Sequence, residues 1–175
     1  MSFEPVGEEV IWKGHIGTVK IKRFRHDDGE EVQREVVEHP GAVVMFPWDG
    51  ERIWLVRQPR EVVGAEGLLE LPAGKLNGVA PLETAQRELR EEIGMSASGW
   101  KFLTKFYASP GFTDEEIHAY LATDLKDDPL QAEENERIEV VTEPLERLDD
   151  LIAECRDSKS IVTLLWIRAF ELGNL

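Results

Sequence analysis

Cysteine is nearly absent from the sequence, with Cys155 as the single example among 175 residues. One thiol cannot close an internal disulfide, and it cannot supply the paired thiolates of a structural zinc site. The composition therefore excludes a disulfide-rich scaffold and a cysteine-rich zinc module. Cys155 itself is expected to lie on a helix as a small hydrophobic side chain.

Basic side chains and long apolar runs are also scarce. Only 20 Lys and Arg stand against 35 Asp and Glu, which gives a formal net charge of −15. Because nucleic-acid binding draws most of its affinity from cations that contact phosphates, no nucleic-acid partner is expected. No segment approaches the ~18 apolar residues that cross a bilayer, and residues 1–5 lack a basic start. We therefore expect a cytoplasmic protein with no membrane partner.

Several common catalytic motifs are missing as well. The sequence has no G-x-x-x-x-G-K-[ST] phosphate loop, no H-E-x-x-H zinc pair and no G-x-S-x-G nucleophile elbow. It does have 42% hydrophobic and 31% charged residues, which is the balance of a folded globular domain. Its chemistry must therefore lie in a different pattern.

The order of apolar residues predicts a strand-rich start and a mixed domain after it. Residues 9–38 alternate between apolar and polar side chains around Asp27-Asp28-Gly29, which is typical of antiparallel strands joined by a turn. We therefore assign residues 1–38 to a small N-terminal antiparallel β extension, and residues 39–175 to one main domain. Apolar runs predict strands in that domain at residues 42–46, 53–56, 100–107, 117–122 and 138–141.

Helical spacing of apolar residues predicts three helices, at residues 81–94, 145–156 and 159–172. Pro81 suits the first turn of the first helix, and Gly94 suits its end. The order of strands and helices predicts an α/β (α+β) fold, in which a mixed sheet is packed between helices as an α/β/α sandwich.

Three carboxylates share one side of the first predicted helix. At about 100° per residue, Glu88, Glu91 and Glu92 fall within an arc of roughly 100°. Clustered carboxylates repel one another unless a cation lies among them. Hard oxygen ligands at this density suit Mg²⁺ or Mn²⁺, which would bridge to substrate phosphates. The neighbouring arc is apolar and is expected to be buried; it comprises Leu82, Ala85, Leu89 and Ile93.

An alternative for the same helix is an ordinary solvent-exposed face. Arg87 lies four residues from Glu83 and from Glu91, so the helix would then carry two exposed ion pairs. The upstream segment Leu69-Glu70-Leu71-Pro72-Ala73-Gly74-Lys75 favours the metal site, because it reads as a strand end that breaks into a glycine-containing loop. Carbonyl groups of that loop would face the carboxylates.

Together these segments resemble the Nudix box, G-x5-E-x7-R-E-U-x-E-E-x-G-U with U aliphatic. Residues 87–95, Arg-Glu-Leu-Arg-Glu-Glu-Ile-Gly-Met, fit the second half at every defined position. The first half departs from it: twelve residues separate Gly74 from Arg87 where the box has thirteen, and Val79 or Ala80 stands in place of the first Glu. The chain is therefore similar to Nudix hydrolases, with a shortened box loop.

Further segments are similar to the ADP-ribose pyrophosphatase group of that family. They are residues 69–75, residues 108–115 and the acidic run Glu133-Glu134-Asn135-Glu136. The resemblance runs from about Trp12 to the C-terminus. It implies a homodimer with exchanged N-terminal strands, in which residues of one copy complete the substrate site of the other.

The resemblance also implies a role for each matching acidic residue. The implied metal ligands are Ala73 (through its carbonyl oxygen), Glu88, Glu91, Glu92 and Glu136. The implied catalytic residues are Glu91 and Glu134, with Glu134 favoured as the base. A solvated acidic turn is the alternative for the Glu134 loop. Mg²⁺ is the expected cofactor, with Mn²⁺ as the alternative.

Substrate binding is assigned in the same way. The implied residues are Arg34, Arg60, Ser109, Gly111 and Phe112. A guanidinium forks onto phosphate, and a glycine permits close approach of a ribose. For both arginines, an ordinary surface ion pair is the alternative. The aromatic side chains that could stack on adenine suit the core or an interface equally well; they are Trp12, Phe24, Trp48 and Trp54.

The function that the resemblance implies is Mg²⁺-dependent hydrolysis of the pyrophosphate bond of ADP-ribose or a related nucleoside diphosphate sugar. The products would be AMP, or another nucleoside monophosphate, and a sugar phosphate. GDP-mannose, NADH and FAD are the alternative substrates within the enzyme class. Two other classes stay open, a non-catalytic ligand sensor on the same scaffold and a structural partner protein, because a fold does not fix a function.

Overall fold

The computed structural model describes residues 1–15, 17–131 and 137–175. The chain divides into two compact units. The N-terminal unit comprises residues 1–41 and 107–116, and the main unit comprises residues 42–106 and 117–175.

The N-terminal unit contains an antiparallel sheet in the order β1-β2-β3. Its strands are β1 (Phe3–Lys13), β2 (Thr18–His26) and β3 (Glu31–Glu38). The predicted turn joins β2 to β3, and Gly29 there has a φ of 89°, a left-handed value that glycine adopts without strain. The predicted strand-rich start is thus confirmed. Besides the two strands on either side of the predicted turn, the sheet contains a third strand, β1.

The main unit contains two sheets. Its strands are β4 (Ala42–Pro47), β5 (Arg52–Arg60), β6 (Ala65–Glu70), β7 (Ala73–Lys75), β8 (Met95–Tyr107), β9 (Glu116–Asp127) and β10 (Glu139–Pro144). One sheet has the order β7-β4-β9-β8 and the other the order β10-β5-β6. Strand β4 runs parallel to β9 and antiparallel to β7, so the first sheet is mixed as predicted. Every residue of β4 is buried, which suits an apolar run in a sheet covered on both faces.

Three α-helices accompany these sheets in the part of the chain that is described. They are α1 (Pro81–Glu92), α2 (Leu148–Glu154) and α3 (Ser158–Trp166). The prediction of one helix over residues 145–156 was too long, because a 3₁₀ turn occupies residues 145–147 before α2 begins. The prediction over 159–172 also changes: α3 starts at Ser158, where the Asp157 side chain caps it, and continues as a π-helix over residues 167–171. Among the described helices, none has the length and apolar character needed to cross a membrane.

The core of the main unit packs α1 against the central strands. Ala85, Leu89 and Ile93 join a buried cluster with side chains of β4, β5 and β9. Leu82 does not, because it lies in the first turn of α1 and is 39% exposed, so its expected burial was wrong. Cys155 is buried, as suits a small hydrophobic side chain, and it lies at the C-cap of α2 rather than within the predicted helix. The core therefore fixes the second half of α1, where the carboxylates lie.

Candidate active site

Two of the three predicted carboxylates are buried against the segment that precedes α1. Helix α1 packs on β4 and β7, and both Glu88 and Glu92 lie on the buried side of the helix. The backbone N–H of Ala73 donates a hydrogen bond of 2.9 Å to Oε2 of Glu92. Strand β7, which contains Ala73, is in turn paired with Val44 of β4. A carboxylate of the helix is thus tied to the edge of the central sheet.

Gly74 allows the Glu88 side chain to approach the backbone of β7. A Cβ atom at residue 74 would overlap the carboxyl group of Glu88. Gly74 lies opposite Val43 in the pairing of β7 with β4, so the backbone at this point cannot retreat without breaking a ladder. The glycine of the box is therefore explained by close approach of a carboxylate, not by a left-handed turn.

Arg87 lies among the carboxylates. Its Nη1 donates to Oε2 of Glu91, and its Nη2 donates to Oε1 of Glu88 at 2.5 Å. The pair with Glu91 has the i, i+4 spacing of an ordinary surface pair. Neither pair is an exposed one, however, because the Glu88 and Glu91 side chains are only 12% and 17% exposed. Arg87 therefore supplies the positive charge that the crowded carboxylates need.

The donor atoms suit a hard divalent cation. Glu88, Glu91 and Glu92 offer carboxylate oxygens, the ligand type that Mg²⁺ prefers. Within residues 1–15, 17–131 and 137–175, no three His, Cys, Asp or Glu side chains converge as a ready metal site. The Arg87 guanidinium bonds two of the three carboxylates. Glu134 and Glu136 lie outside the described residues.

Arg60 lies at the end of β5 and is held by a buried carboxylate. Its Nε and Nη2 donate to the two oxygens of Glu70 at 2.6 and 2.8 Å, a bidentate pair. The hydrogen bond with Glu70 raises the pKa of Arg60, and the charges of Asp157 and Glu92 act in the same direction. The Arg60 side chain is 43% exposed, so a substrate anion can reach it.

The remaining predicted substrate residues belong to the N-terminal unit. Arg34, Gly111 and Phe112 line one cavity of about 350 Å³, together with Lys22, Phe24, Val36 and other residues of the 110–114 loop. The Val37 N–H donates to the Phe112 carbonyl at 2.7 Å, which fixes the loop to β3. Ser109 shapes the turn, because its carbonyl oxygen accepts from the N–H groups of Phe112 and Thr113 at 3.1 Å. The structure thus gathers side chains that lie some 75 positions apart in the sequence.

Sequence reasoning missed the groups that hold Arg60. Glu70 is 1% exposed, and it also accepts a 2.7 Å hydrogen bond from Nζ of Lys159. A charged residue inside the apolar run at 68–71 was a usable signal, because a buried carboxylate requires a cation. Nothing local to Lys159 pointed to it, since its partner is 89 residues away.

Comparison with known proteins identifies the family of this chain. The family model described as NUDIX domain matches residues 38–164. An ADP-ribose pyrophosphatase of Bacillus subtilis is 34% identical over 172 residues, which cover 95% of this chain and 92% of that protein. An ADP-ribose pyrophosphatase of Mycobacterium tuberculosis is 43% identical over 128 residues, which cover 71% of this chain and 61% of that protein.

The fold has a counterpart among solved structures. A crystal structure described as ADP compounds hydrolase superposes with a TM-score of 0.85 at 23% identity, over 99% of this chain and 96% of that chain. At that identity the likeness concerns the fold alone. The domain match and the relatives show the family: this chain belongs to the Nudix family. It is a hydrolase, as the sequence predicted.

Proposed function

We propose that this hydrolase cleaves the pyrophosphate bond of ADP-ribose, or of a related nucleoside diphosphate sugar, with Mg²⁺ as cofactor. The observation that carries the proposal is the buried pair Glu88 and Glu92 against the Ala73-Gly74 segment, together with the exposed Arg60 guanidinium at the end of β5. Carboxylates that hold a divalent ion and a guanidinium that binds phosphate are what a diphosphate requires. A relative of similar length is named ADP-ribose pyrophosphatase, which supports this substrate.

The reaction divides into tasks for particular residues. A water oxygen forms a bond to one phosphorus, the bridging oxygen leaves with the electron pair, and a base takes the proton of the water. Glu88, Glu91, Glu92 and the Ala73 carbonyl would hold the ion, which when bound neutralises phosphate charge and acidifies water. Arg60 binds a phosphate oxygen. For Glu134 as the base and Glu136 as a further ligand, the support is the family resemblance of their segment.

We propose that the cavity of the N-terminal unit binds an organic part of the substrate. Arg34 and Lys22 supply cations to its wall, and Phe112 offers an exposed aromatic face on which a ring can stack. A Cβ at Gly111 would meet no other heavy atom within 4 Å, so glycine leaves open space there for a ligand. Ser109 supports this loop. The net charge of −15 favours a small-molecule substrate over nucleic acid, and we propose a cytoplasmic location.

A hydrolysis panel tests the proposed function. ADP-ribose, GDP-mannose, NADH and FAD are incubated with the protein and Mg²⁺ or Mn²⁺, and the products are separated by chromatography. We expect AMP and a sugar phosphate from ADP-ribose, and loss of turnover when EDTA removes the metal. Cleavage of another member of the panel would reassign the substrate. Binding of ADP-ribose without any turnover would instead support the ligand-sensor alternative.

We also propose that two copies associate through the N-terminal strands. Strand β1 is exposed along its whole length and carries Val10, Ile11 and Trp12 in exposed positions. An edge strand with such side chains is a surface for association.

Subunit complementation tests whether the copies share substrate sites. Arg34→Ala and Glu92→Gln variants, each inactive alone, are co-expressed with different tags, and the mixed dimers are purified. If one copy supplies Arg34 to the other, each purified mixed dimer has one intact site out of two and regains about half of the wild-type activity. If each copy works alone, activity stays at the sum of the two variants. A monomeric mass in light scattering would contradict association.

A further inference from the structure

Glu70 is the centre of a buried chain of charges that the proposed reaction does not use directly. Its carboxylate is 1% exposed and accepts from Arg60 on one side and from Lys159 on the other. Burial alone would raise the pKa of Glu70, but the hydrogen bonds from both cations outweigh it and hold the pKa below its usual value. Glu70 is therefore ionised between two positive groups.

The chain continues to the start of α3. Nζ of Lys159 also donates to Oδ1 of Asp157 at 2.8 Å, and Oδ2 of Asp157 accepts from the N–H and hydroxyl of Ser160 at 3.0 and 2.6 Å. The Ser160 hydroxyl oxygen accepts in turn from the Leu71 N–H at 2.7 Å. Charges thus alternate from Arg60 through Glu70 and Lys159 to Asp157. The helix end that anchors this chain also anchors the segment leading to Ala73.

Arg60 is the exposed end of this chain. Its side chain is 43% exposed, whereas Lys159 and Asp157 are 16% and 14% exposed. Burying ion pairs contributes little net stability, because desolvation offsets their attraction. A guanidinium has five N–H donors, and only two of them are directed at Glu70. Arg60 is therefore a partly exposed cation, fixed by Glu70 through two of its five donors.

We propose that Glu70 and Lys159 are positioning residues that orient the Arg60 guanidinium toward the substrate diphosphate, an inference that rests on the proposed function. Glu70 fixes the plane of the guanidinium through its bidentate contact. Lys159 neutralises part of the negative charge of Glu70, so the positive charge of Arg60 is less compensated and attracts a phosphate more strongly. Without Lys159, the whole negative charge of Glu70 would act on Arg60, and Arg60 would attract the substrate phosphate less strongly.

The decisive variant is Lys159→Met, which keeps the length of the stem and removes the cation. We expect KM for ADP-ribose to rise about tenfold with kcat changed less than about threefold, because an interaction with bound substrate is weakened. The double variant with Arg60→Ala should have the KM of Arg60→Ala alone, since Lys159 acts through Arg60. Lys159→Arg should restore the wild-type KM, because it restores the charge.

Lys101→Met is the matched control. Lys101 also pairs with a buried glutamate, Glu171, at 2.6 Å, and neither residue belongs to the chain of charges behind Arg60. We expect this variant to lower the melting temperature without raising KM. A Lys159→Met variant that changed only the melting temperature, as Lys101→Met does, would overturn the inference. Additive effects of Lys159→Met and Arg60→Ala on KM would also overturn it.

A second readout does not depend on turnover. Exchange of the Arg60 Nε hydrogen with water, followed by NMR, reports how firmly Glu70 holds the guanidinium. We expect slower exchange in Lys159→Met than in the wild type, because Glu70 would then bind Arg60 more strongly, and no change in Lys101→Met. Should the wild-type protein hydrolyse nothing, the proposed function would fail while this exchange still decided the positioning. Unchanged exchange in Lys159→Met would overturn the positioning itself.

Discussion

Glu92→Gln is expected to lower kcat/KM for ADP-ribose about a thousandfold, since it removes one unit of charge from the site that stabilises the diphosphate transition state. The substitution is nearly isosteric, and the glutamine carbonyl oxygen can still accept from the Ala73 N–H that Glu92 bonds at 2.9 Å. The fold should therefore survive, and the loss should appear in catalysis. Steady-state kinetics with Mg²⁺ and the melting temperature measure the two effects separately.

Glu83→Gln is the control for Glu92→Gln. Glu83 is exposed in the first turn of the same helix, so its substitution removes the same charge without touching the buried carboxylates. We expect its kcat/KM to stay within about twofold of the wild type, because exposed charges are screened by solvent. If Glu92→Gln behaved like Glu83→Gln, the carboxylates of α1 would be an ordinary salt-bridged face. The metal ligands of the hydrolase would then have to be sought elsewhere in the chain.

Local patterns predicted the parts of the site that depend on local structure. The spacing of Ala85, Leu89 and Ile93 predicted the helix and the face it buries, because a helix turns by a fixed angle per residue. The same rule predicted that Glu88 and Glu92 lie on one side of the helix, as they do. It failed for Leu82, since the sequence does not show where the core ends along a helix.

Contacts between distant residues could not be read from these patterns. Arg60 was expected to meet phosphate, with a surface ion pair as the alternative, and the structure shows a bidentate pair whose partner is buried. Lys159 was missed because its hydrogen bond to Glu70 joins residues 89 positions apart, which only the tertiary fold brings together. The resemblance to a family grouped Arg34, Gly111 and Phe112, and the cavity that they line is a tertiary feature of the loop paired with β3.

At the site, the acidic side chains are neutralised by basic side chains that lie next to them. Arg87 compensates Glu88 and Glu91, and Arg60 with Lys159 compensates Glu70. These cations differ in what they leave exposed. Arg87 donates to two carboxylates that would also be metal ligands. Arg60 uses two of its five N–H donors on Glu70, and we expect the others to bind an anion. A divalent ion would thus replace Arg87 as the counter-charge and leave the role of Arg60 intact.

Gly74→Ala is expected to lower kcat/KM about a hundredfold, because a displacement of about 1 Å in a catalytic group costs roughly that much. The new Cβ would overlap the Glu88 carboxyl, and the β7 backbone is held by its pairing with β4, so the side chain must move. Gly74 is not among the glycines with positive φ, so alanine adds no backbone strain there. The loss should therefore come from Glu88 alone, and steady-state kinetics with Mg²⁺ measure it.

Gly99→Ala separates that loss from general damage to the fold. Its Cβ would overlap the Thr123 hydroxyl to a similar degree, and Gly99 also has no positive φ. Thr123 has no part in the proposed site, so Gly99→Ala should lower the melting temperature and leave kcat/KM within about threefold of the wild type. Equal losses of activity in the two variants would mean that the fit of Glu88 against Gly74 serves folding alone. Loss confined to Gly74→Ala, with a higher Mg²⁺ requirement, would show that the backbone of residue 74 sets the position of a metal-binding carboxylate.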